Sequence, residues 1–363
     1  MKKIIPFTAI MVILINLFSC SPFSRSSDKT DLKGKGDIYM LLHYASLAGS
    51  SHNSQPWKTV VYRDDSILVY ACTSRTLPVV DKTKRELYIS IGAFIENLTI
   101  AADCYGFQTT TRIYPASGNN EEPVACVKLS RSCTKLDGFS LTDIEMRTTL
   151  RVPFNTDPIN APDWEKLVCH DTSDIHFIPA ETTEGMLLAK REYEAYALQS
   201  HNEKASDELA GWIRFSDKDV KEKRDGLTTA GMAIKGLGRF IVKTFFKPED
   251  SKKESFVSKG IEKTKREVEN CGGWIIITRR NNDIEDWLMA GRLYERVNLS
   301  CRKLNIGFHP MNQIIEEDSF ERLLDRDLKL NGEIMFVARI GYVNDYPQPV
   351  SLRRPVESFC VFK

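Results

Sequence analysis

The pattern of apolar and polar positions divides the chain into two stretches of helices and strands. Alternation with a period of two predicts strands, and a period near 3.6 predicts helices. The first stretch is predicted to contain helix Asp37–Ala48, hairpin strands Thr59–Arg63 and Ser66–Cys72, helix Lys84–Tyr105, and strands near Thr109–Ile113 and Val124–Leu129. The second is predicted to contain helix Asp163–Val168, strand Ile175–Ile178, helix Thr183–Leu198, strand Trp274–Thr278, helix Ile284–Leu304 and strand Ile334–Ile340. We therefore divide the chain into a first half, residues 37–138, and a second half, residues 139–363.

A further helix is predicted at the start of the second half. Thr142 and Glu145 have the spacing of a capping box, in which each side chain bonds the backbone N–H of the other residue. If this helix continues, Arg147 and Arg151 lie four residues apart on the same helical face.

Two segments, residues 91–107 and 290–308, resemble one another. Both predicted helices carry a glycine near the start and end in Gly-Phe, and acidic residues precede each of them. Two unrelated core helices with glycine caps are one explanation, because such caps are common. The shared ending and the acidic residues favour a diverged duplication.

The N-terminal segment has the features of an export signal. A short basic start precedes Ile4–Phe18, an apolar run that suits a secretory signal better than a membrane span. Leu-Phe-Ser-Cys at its end resembles a bacterial lipobox, which implies cleavage after residue 19 and lipid attachment to Cys20. Residues 20–36 are polar and form a predicted flexible tether. We expect an exported protein that is lipid-anchored to a bacterial membrane, on its periplasmic or surface face. An ordinary signal peptide and a membrane anchor remain alternatives.

Composition removes two functional classes. The net charge of +1 gives no electrostatic basis for binding nucleic acid. The six histidines and nine cysteines show no metal-ligand spacing, so no metal site is predicted.

Residues 201–270 form a segment unlike the rest of the chain. It is rich in charged residues but contains an apolar run, residues 230–246, that three glycines interrupt. Solvated surface helices are one interpretation. A lid-like cover over a pocket, with glycines as hinges, is the interpretation that we favour, because the apolar run needs a surface to pack on.

The turn after the first predicted helix has the sequence GSSHNSQPWK. It resembles the Ser-Ser-x-Asn-x-Gln-Pro-Trp signature of the nitroreductase family at Ser50, Ser51, Asn53 and Gln55. In that family, the segment contacts the ring of flavin mononucleotide (FMN). The resemblance therefore implies an FMN-binding protein.

Two arginine motifs support the same resemblance. Arg147, Thr149 and Arg151 resemble the family's Arg-x-Ser-x-Lys/Arg motif, which implies contacts with the phosphate or ribityl chain and a cation near flavin N1. Arg353 and Arg354 resemble its closing Arg-Arg-Pro-Leu-Glu, which implies further phosphate contacts. A basic helix end favoured by the helix dipole is the alternative for the first motif, and a solvated chain end for the second.

The segment around Pro310 and Met311 resembles the family's stretch after the long helix, whose backbone faces the flavin ring and N5. An acidic residue and a glycine often follow that proline in the family. This chain has Met-Asn-Gln instead, which implies a different N5 environment.

The motifs are divided between the halves. The serine-rich turn lies in the first half and the arginines lie in the second. The resemblance implies an α+β nitroreductase-like fold of two diverged halves that mimic a homodimer, each a mainly antiparallel sheet flanked by helices. One FMN site would survive in a monomeric chain. This arrangement resembles a single-chain branch related to a mycobacterial dormancy-associated flavin-sequestering group.

Three functions are consistent with these patterns. The first is an FMN-dependent oxidoreductase that passes hydride from NAD(P)H to a nitro- or quinone-type acceptor, with the chemistry on the flavin and no catalytic side chain. The second is a non-catalytic lipoprotein that stores or sequesters FMN. The third is a surface lipoprotein that uses an inactive flavin fold for protein contacts.

Overall fold

The computed structural model describes residues 32–63, 65–114, 122–135, 138–168 and 173–363. The predicted signal peptide, Cys20 and most of the tether lie outside the described residues. Export and lipid attachment therefore stay predictions from sequence.

The described chain contains both helices and strands. The helices are α1 Asp37–Ser46, α2 Arg85–Cys104, α3 Leu141–Met146, α4 Ala161–Val168, α5 Thr183–Ser200, α6 Glu203–Trp212, α7 Asp217–Lys223, α8 Gly236–Phe245, α9 Glu254–Val268, α10 Ile284–Lys303, α11 Gln313–Glu316 and α12 Asp318–Leu328. The strands are β1 Trp57–Tyr62, β2 Ser66–Ala71, β3 Phe107–Ile113, β4 Ala125–Arg131, β5 Ile175–Pro179, β6 Ile213–Arg214, β7 Leu227–Thr228, β8 Gly273–Arg279, β9 Ile306–Pro310, β10 Glu333–Tyr342 and β11 Cys360–Phe362. The elements predicted with explicit bounds are all present.

The two large sheets have the same strand order. The first sheet runs β11-β1-β2-β4-β3, and the second runs β5-β8-β10-β9. With β11 set aside, and with the strands of each sheet counted 1 to 4 along the chain, both sheets have the strand order 1-2-4-3, and all neighbouring strands are antiparallel. In each sheet, a long helix connects the second strand of the chain to the third: α2 in the first sheet and α10 in the second. Strand β11 pairs with β1 in parallel and brings the C-terminus into the first sheet. The mixture of helices and mainly antiparallel sheets confirms the predicted α+β class.

Helices α2 and α10 cross at two glycines. A Cβ atom on Gly92 would lie 2.1 Å from the carbonyl oxygen of Leu288, and one on Gly291 would lie 2.0 Å from that of Ile89. Each contacted carbonyl belongs to the residue three positions before the opposite glycine, so the contact is reciprocal. Such mutual contacts characterise an interface with two-fold symmetry.

One hydrophobic core joins the two halves. Trp57 packs on Phe94 in the first half with ring centroids 5.0 Å apart, and Tyr294 packs on Phe336 in the second at 4.5 Å. Helix α2 is long and apolar enough to cross a membrane, but 78% of its most apolar window is buried in this core. Its hydropathy therefore reflects burial between the halves.

The predicted capping box lies two residues too late. Ser140 is the N-cap of α3: its hydroxyl accepts from the N–H of Asp143 at 3.3 Å, and the Asp143 carboxylate accepts from the N–H of Ser140 at 2.8 Å. Ser140 has the extended backbone that an N-cap requires, whereas Thr142 already lies in the first turn.

The expectation that Arg147 and Arg151 share a helical face is wrong. Helix α3 ends at Met146, and Arg147 has extended backbone angles. Leu150 donates its N–H to the carbonyl of Phe308 at 3.0 Å, so this segment is bonded to β9. A tertiary hydrogen bond replaces the helical one that the spacing predicted.

Candidate functional site

A cavity of about 500 Å³ lies between the two halves and residues 201–270. Its volume is in the range of small-molecule and cofactor sites. Of the residues predicted to bind a cofactor, it is lined by Ser50, Ser51, Thr149, Arg151, Pro310 and Met311. The structure thus brings the serine-rich turn of the first half to the Arg151 segment and the end of β9 from the second.

The other predicted residues are not among those that line the cavity. These are Asn53, Gln55, Arg147, Arg353 and Arg354. Arg147 and Arg353 both donate to the carbonyl oxygen of Leu47, each at 3.2 Å, just after α1. The turn and the distant arginines therefore meet, but these two arginines hold protein backbone. Their predicted contacts with a phosphate stay predictions.

A buried ion pair supports the turn from below. Arg147 Nε lies 3.1 Å from Glu295 Oε1, and the two side chains are 2% and 0% exposed. Burial lowers the pKa of Arg147, but the carboxylate of Glu295 raises it, and the net shift is upward. Glu295 also accepts the N–H of Gly49 at 3.3 Å. The pair thus ties the second half to the start of the serine-rich turn.

Gln55 joins three parts of the chain. Its N–H donates to Ser50 Oγ at 3.1 Å within the turn. Its side-chain oxygen accepts from the N–H of Arg354 at 2.8 Å, and its side-chain nitrogen donates to the carbonyl of Arg224 at 2.9 Å. A fully buried amide thus fixes the turn, the C-terminal segment and residues 201–270 relative to one another.

The turn has a strained backbone. His52, Asn53 and Gln55 have φ values of 50°, 54° and 53°, in the left-handed region that side chains disfavour. Such residues cost of the order of 1–3 kcal/mol each and cluster at functional sites. The Asn53 amide holds this conformation through bonds to the carbonyls of Gly226 at 3.3 Å and Leu352 at 3.4 Å.

Arg151 places a partly buried positive charge at the cavity. It donates to the carbonyl of Gly231 at 3.2 Å, and within the described part of the chain it forms no ion pair. Burial lowers the pKa of Arg151, an effect that Glu267 opposes, and a guanidinium keeps its charge at neutral pH. A partly buried cation of this kind favours an anionic ligand group.

His52 lines the cavity and was not among the predicted site residues. Its Nδ1 atom is buried and has no hydrogen-bond partner among the residues that the structure describes. Burial, together with the charge of Arg151, lowers the pKa of His52 to about 4. The imidazole is therefore neutral at neutral pH. Its position inside the serine-rich turn was the signal that the sequence offered.

His309, next to Pro310, is a second cavity residue that was missed. Arg339 Nε lies 3.1 Å from His309 Nδ1 and donates to it, so the ring proton belongs on Nε2. Burial and the charge of Arg339 hold the pKa of His309 well below its usual value. His309 is thus a neutral imidazole with one N–H available as a donor.

Carboxyl groups reach the cavity from α2 and α11. Glu86 accepts from the side-chain amide of Asn312, and Glu316 accepts from Gln199 at 2.7 Å. Burial, and then the charge of Glu86, raises the pKa of Glu316 well above its usual value. The protonated form of Glu316 is therefore more favoured than in a solvent-exposed glutamate. The sequence marked the absence of an acid directly after Pro310 but not this carboxyl farther along.

The apolar wall comes from the long helices and β10. Ile89, Tyr294 and Phe336 line it. A Cβ atom on Gly49 would lie 1.9 Å from the Tyr294 hydroxyl, so only glycine lets the turn approach this ring. The wall supplies the flat apolar surface that an aromatic ligand requires.

Residues 201–270 cover the cavity. Val242 and Phe246 from α8 and its end, and Phe256 and Lys263 from α9, contribute to the lining. The interpretation of this segment as a lid-like cover with hinges stays a prediction.

Buried charges attach this cover to the first half. Asp225 pairs with Arg75 and lies 2.9 Å from Arg214 Nε, and all three side chains are at least four-fifths buried. Breaking such a buried ion pair strongly destabilises its surroundings, so the cover is firmly attached here.

Comparison with known proteins gives a fold-level likeness. No family model matches the chain, and no curated protein matches its sequence. A putative nitroreductase from Anabaena variabilis aligns with 10% identity and a TM-score of 0.42, over 86% of this chain and 91% of that one. The FMN-dependent nitroreductase NfnB from Mycobacterium smegmatis, solved with NADPH, aligns with 11% identity and a TM-score of 0.36, over 57% of this chain and 92% of that one. A nitroreductase-like protein from Bacillus cereus aligns with 10% identity and a TM-score of 0.31, over 61% of this chain and 96% of that one.

The solved structures that the chain resembles are thus nitroreductase-like proteins. Their TM-scores are too low to carry a functional conclusion by themselves. The function must be argued from the cavity and its residues.

Proposed function

We propose that this chain binds FMN in the cavity and is a nitroreductase-like oxidoreductase. The donor would be NAD(P)H, and the acceptor would be a nitro- or quinone-type small molecule. The observation that carries the proposal is Arg151, a partly buried guanidinium that faces a cavity of cofactor size and forms no ion pair with any residue that the structure describes. An anionic ligand would neutralise this charge.

The lining residues fit the needs of a flavin. FMN requires a cation, hydrogen bonds to its polar atoms and a flat apolar wall, and when bound it supplies reversible hydride acceptance. The proposed binding residues are Arg151, Thr149, Ser50, Ser51, Pro310 and Met311, with His52 as an addition. The Nδ1 atom of His52, which has no hydrogen-bond partner within the described ranges, supports this fit, because a buried polar atom needs a partner.

The chain's own residues would position the ligand and hold protons. Arg147, Arg353 and Gln55 fix the turn from behind, so that its hydroxyls keep their place at the cavity. Glu316 places a carboxyl with a raised pKa at the wall, and His309 offers its Nε2–H. The cover excludes water from the cavity, which strengthens electrostatic interactions inside it.

We further propose that the two halves form a pseudo-dimer within one monomeric chain. Two observations support this: the identical strand order of the sheets and the reciprocal contact of Gly92 and Gly291. The cavity draws residues from both halves, as a site at a homodimer interface would. The proposed relation to the single-chain branch with a mycobacterial dormancy-associated group rests on this division of motifs.

The proposed location is a bacterial membrane, with Cys20 lipidated after export. This rests on the sequence of residues 1–20. Mass spectrometry of the protein recovered from bacterial membranes tests it: a diacylglyceryl group on an N-terminal Cys20 is expected. An unmodified Cys20 in an intact chain would disprove lipidation.

Non-catalytic storage of FMN is the second candidate. The attachment of the cover by Asp225, Arg75 and Arg214 favours it, because a cover held by buried charges restricts access for a second substrate. The protein would then bind FMN without rapid exchange of electrons.

Equilibrium binding of FMN to the purified full chain tests the leading proposal. Arg151→Gln should weaken FMN binding by about 10- to 100-fold, the value of a charge-assisted hydrogen bond. Arg266→Gln, an exposed arginine on α9, is the matched control and should leave the affinity unchanged. Absence of FMN binding to the unaltered chain, or equal affinity of both variants, would overturn the proposal.

Stopped-flow mixing of the FMN-loaded protein with NADH or NADPH separates the two candidates. Loss of the oxidised flavin absorbance followed by its recovery with a quinone indicates an oxidoreductase. Lasting failure to reduce the flavin, with dithionite as a positive control, indicates storage.

A further inference from the structure

Helix α8 in the cover exposes an unusual number of apolar side chains. In the described part of the chain, nine large hydrophobic side chains are exposed, and four of them lie on this helix of ten residues. Leu237 is 70% exposed, Phe245 71%, and Phe240 and Ile241 40% each. Apolar side chains concentrated in this way mark a contact with another molecule or with a membrane.

The spacing of these residues places them along one side of the helix. Leu237, Ile241 and Phe245 follow each other at intervals of four. Val242 and Phe246 instead line the cavity. The helix therefore already packs on the protein through one face, while a second apolar face remains at the surface.

Basic residues accompany this apolar face. Residues 235–247 contain four basic residues and no acidic one. Of these four, Arg239 is buried, and Lys243 Nζ lies 2.6 Å from Asp217 Oδ2. Lys235 and Lys247 are exposed at the two ends of the helix. A short helix with a strong apolar face and flanking cations is typical of segments that lie in the interface of an anionic bilayer.

We propose that α8 docks on an anionic lipid surface. Leu237, Ile241 and Phe245 enter the boundary between headgroups and acyl chains, and Lys235 and Lys247 contact the headgroups. Charge complementarity selects this occupant over a second copy of the chain, because a symmetric contact between two copies would oppose the same basic residues. The inference is independent of FMN binding, and it positions the cover, and thus one wall of the cavity, at the membrane.

Fluorescence quenching tests the docking directly. Phe245→Trp is placed in the full chain, which is reconstituted into vesicles of phosphatidylcholine and phosphatidylglycerol with or without bromine on the acyl chains. Met186→Trp, 58% exposed on α5, is the matched control. The unaltered chain supplies the background of the native tryptophans. Brominated acyl chains should remove most of the emission added by Phe245→Trp and leave that added by Met186→Trp.

The opposite results would overturn the proposal. Equal quenching of both variants would show no preference for α8, and absence of quenching would place α8 away from lipid. If Phe245→Trp is not quenched and the protein self-associates as its concentration rises, a second copy of the chain would be the occupant.

A second variant tests the role of charge. Adding Lys235→Glu and Lys247→Glu to Phe245→Trp should cut the quenching in anionic vesicles to the level found with phosphatidylcholine alone. Circular dichroism checks that the fold is retained. Unchanged quenching in a folded protein would contradict the headgroup contacts.

Discussion

Glu96 of α2 and Glu295 of α10 occupy matching positions on the two crossing helices, but their carboxylates have different partners. Glu96 and Glu295 each lie four residues after the glycine at the crossing. Glu295 is paired with Arg147 and holds the N–H of Gly49 beside the cavity. Glu96 is paired with Arg292 at 2.7 Å and with Arg296, both from α10 itself.

This difference separates the two ends of the helix pair by burial and by the partners of the glutamate. Around Glu96, the arginine side chains are about a quarter exposed, and Arg296 lies over the ring of Phe139 at 5.7 Å. Near Glu96, arginine side chains of α10 thus occupy the place that the serine-rich turn and Arg147 occupy near Glu295. The contrast supports the proposal of two related halves with one ligand site.

The largest effect is expected from removing the carboxylate that pairs with Arg147. Glu295→Ala should lower the free energy of unfolding by about 3–5 kcal/mol, because it leaves the buried charge of Arg147 uncompensated. Glu96→Ala should lower it by about 1–2 kcal/mol, because its partly exposed arginines can reach water. Urea denaturation measures both. Equal losses would contradict the difference in burial between the two ends.

A second contrast concerns Glu192 of α5, a fully buried carboxyl that pairs with no cation among the described residues. Its Oε2 accepts the N–H of Ile314 at 3.0 Å, and burial raises its pKa to about 8. A folded-state pKa above the unfolded value of 4.5 means that stability is fully present below pH 4.5 and falls as pH rises towards 8. Glu295, by contrast, has Arg147 as its partner.

The pH dependence of unfolding tests this difference. From pH 5.5 to 7.5 the unaltered chain should lose about 2–3 kcal/mol through Glu192, at about 1.4 kcal/mol per pH unit. Glu192→Gln should remove this part of the slope. Glu184→Gln, exposed on the same helix, is the control and should retain it. A slope unaffected by Glu192→Gln would mean that Glu192 is ionised in the folded protein.

The reciprocal crossing predicts equal, smaller effects. Gly92→Ala and Gly291→Ala should each lower the free energy of unfolding by about 1–3 kcal/mol, because the new methyl groups meet backbone carbonyls. The control is Gly211→Ala in α6, which has open space and should gain up to about 1 kcal/mol. Unequal losses at the two glycines would argue against a symmetric crossing.

The sequence pattern predicted the main elements well. Each helix and strand that was predicted with both ends lies within two residues of its predicted bounds. Strand β9 was missed because it is short and contains Pro310, and β11 because a three-residue strand has no periodicity. The prediction that Arg147 and Arg151 share a helical face was wrong, because Leu150 donates its N–H to β9 and the chain is not helical there.

The candidate site was predictable in part. The resemblance to the family's motifs pointed to Ser50, Ser51, Thr149, Arg151, Pro310 and Met311, which the structure brings to one cavity. It did not separate these residues from Arg147 and Arg353, which hold backbone carbonyls instead. His52 and Glu316 carry no periodic signal, because their importance arises from burial next to other charges.

The sequence by itself determined the helices and strands with regular patterns and the two helices that end in Gly-Phe, because these depend on local periodicity and on the conformations of single residues. Only the tertiary structure decided which arginine faces the cavity, which carboxyls have a raised pKa and which face of α8 is exposed. Each of these depends on desolvation and on hydrogen bonds between residues far apart in the chain, which no local pattern records.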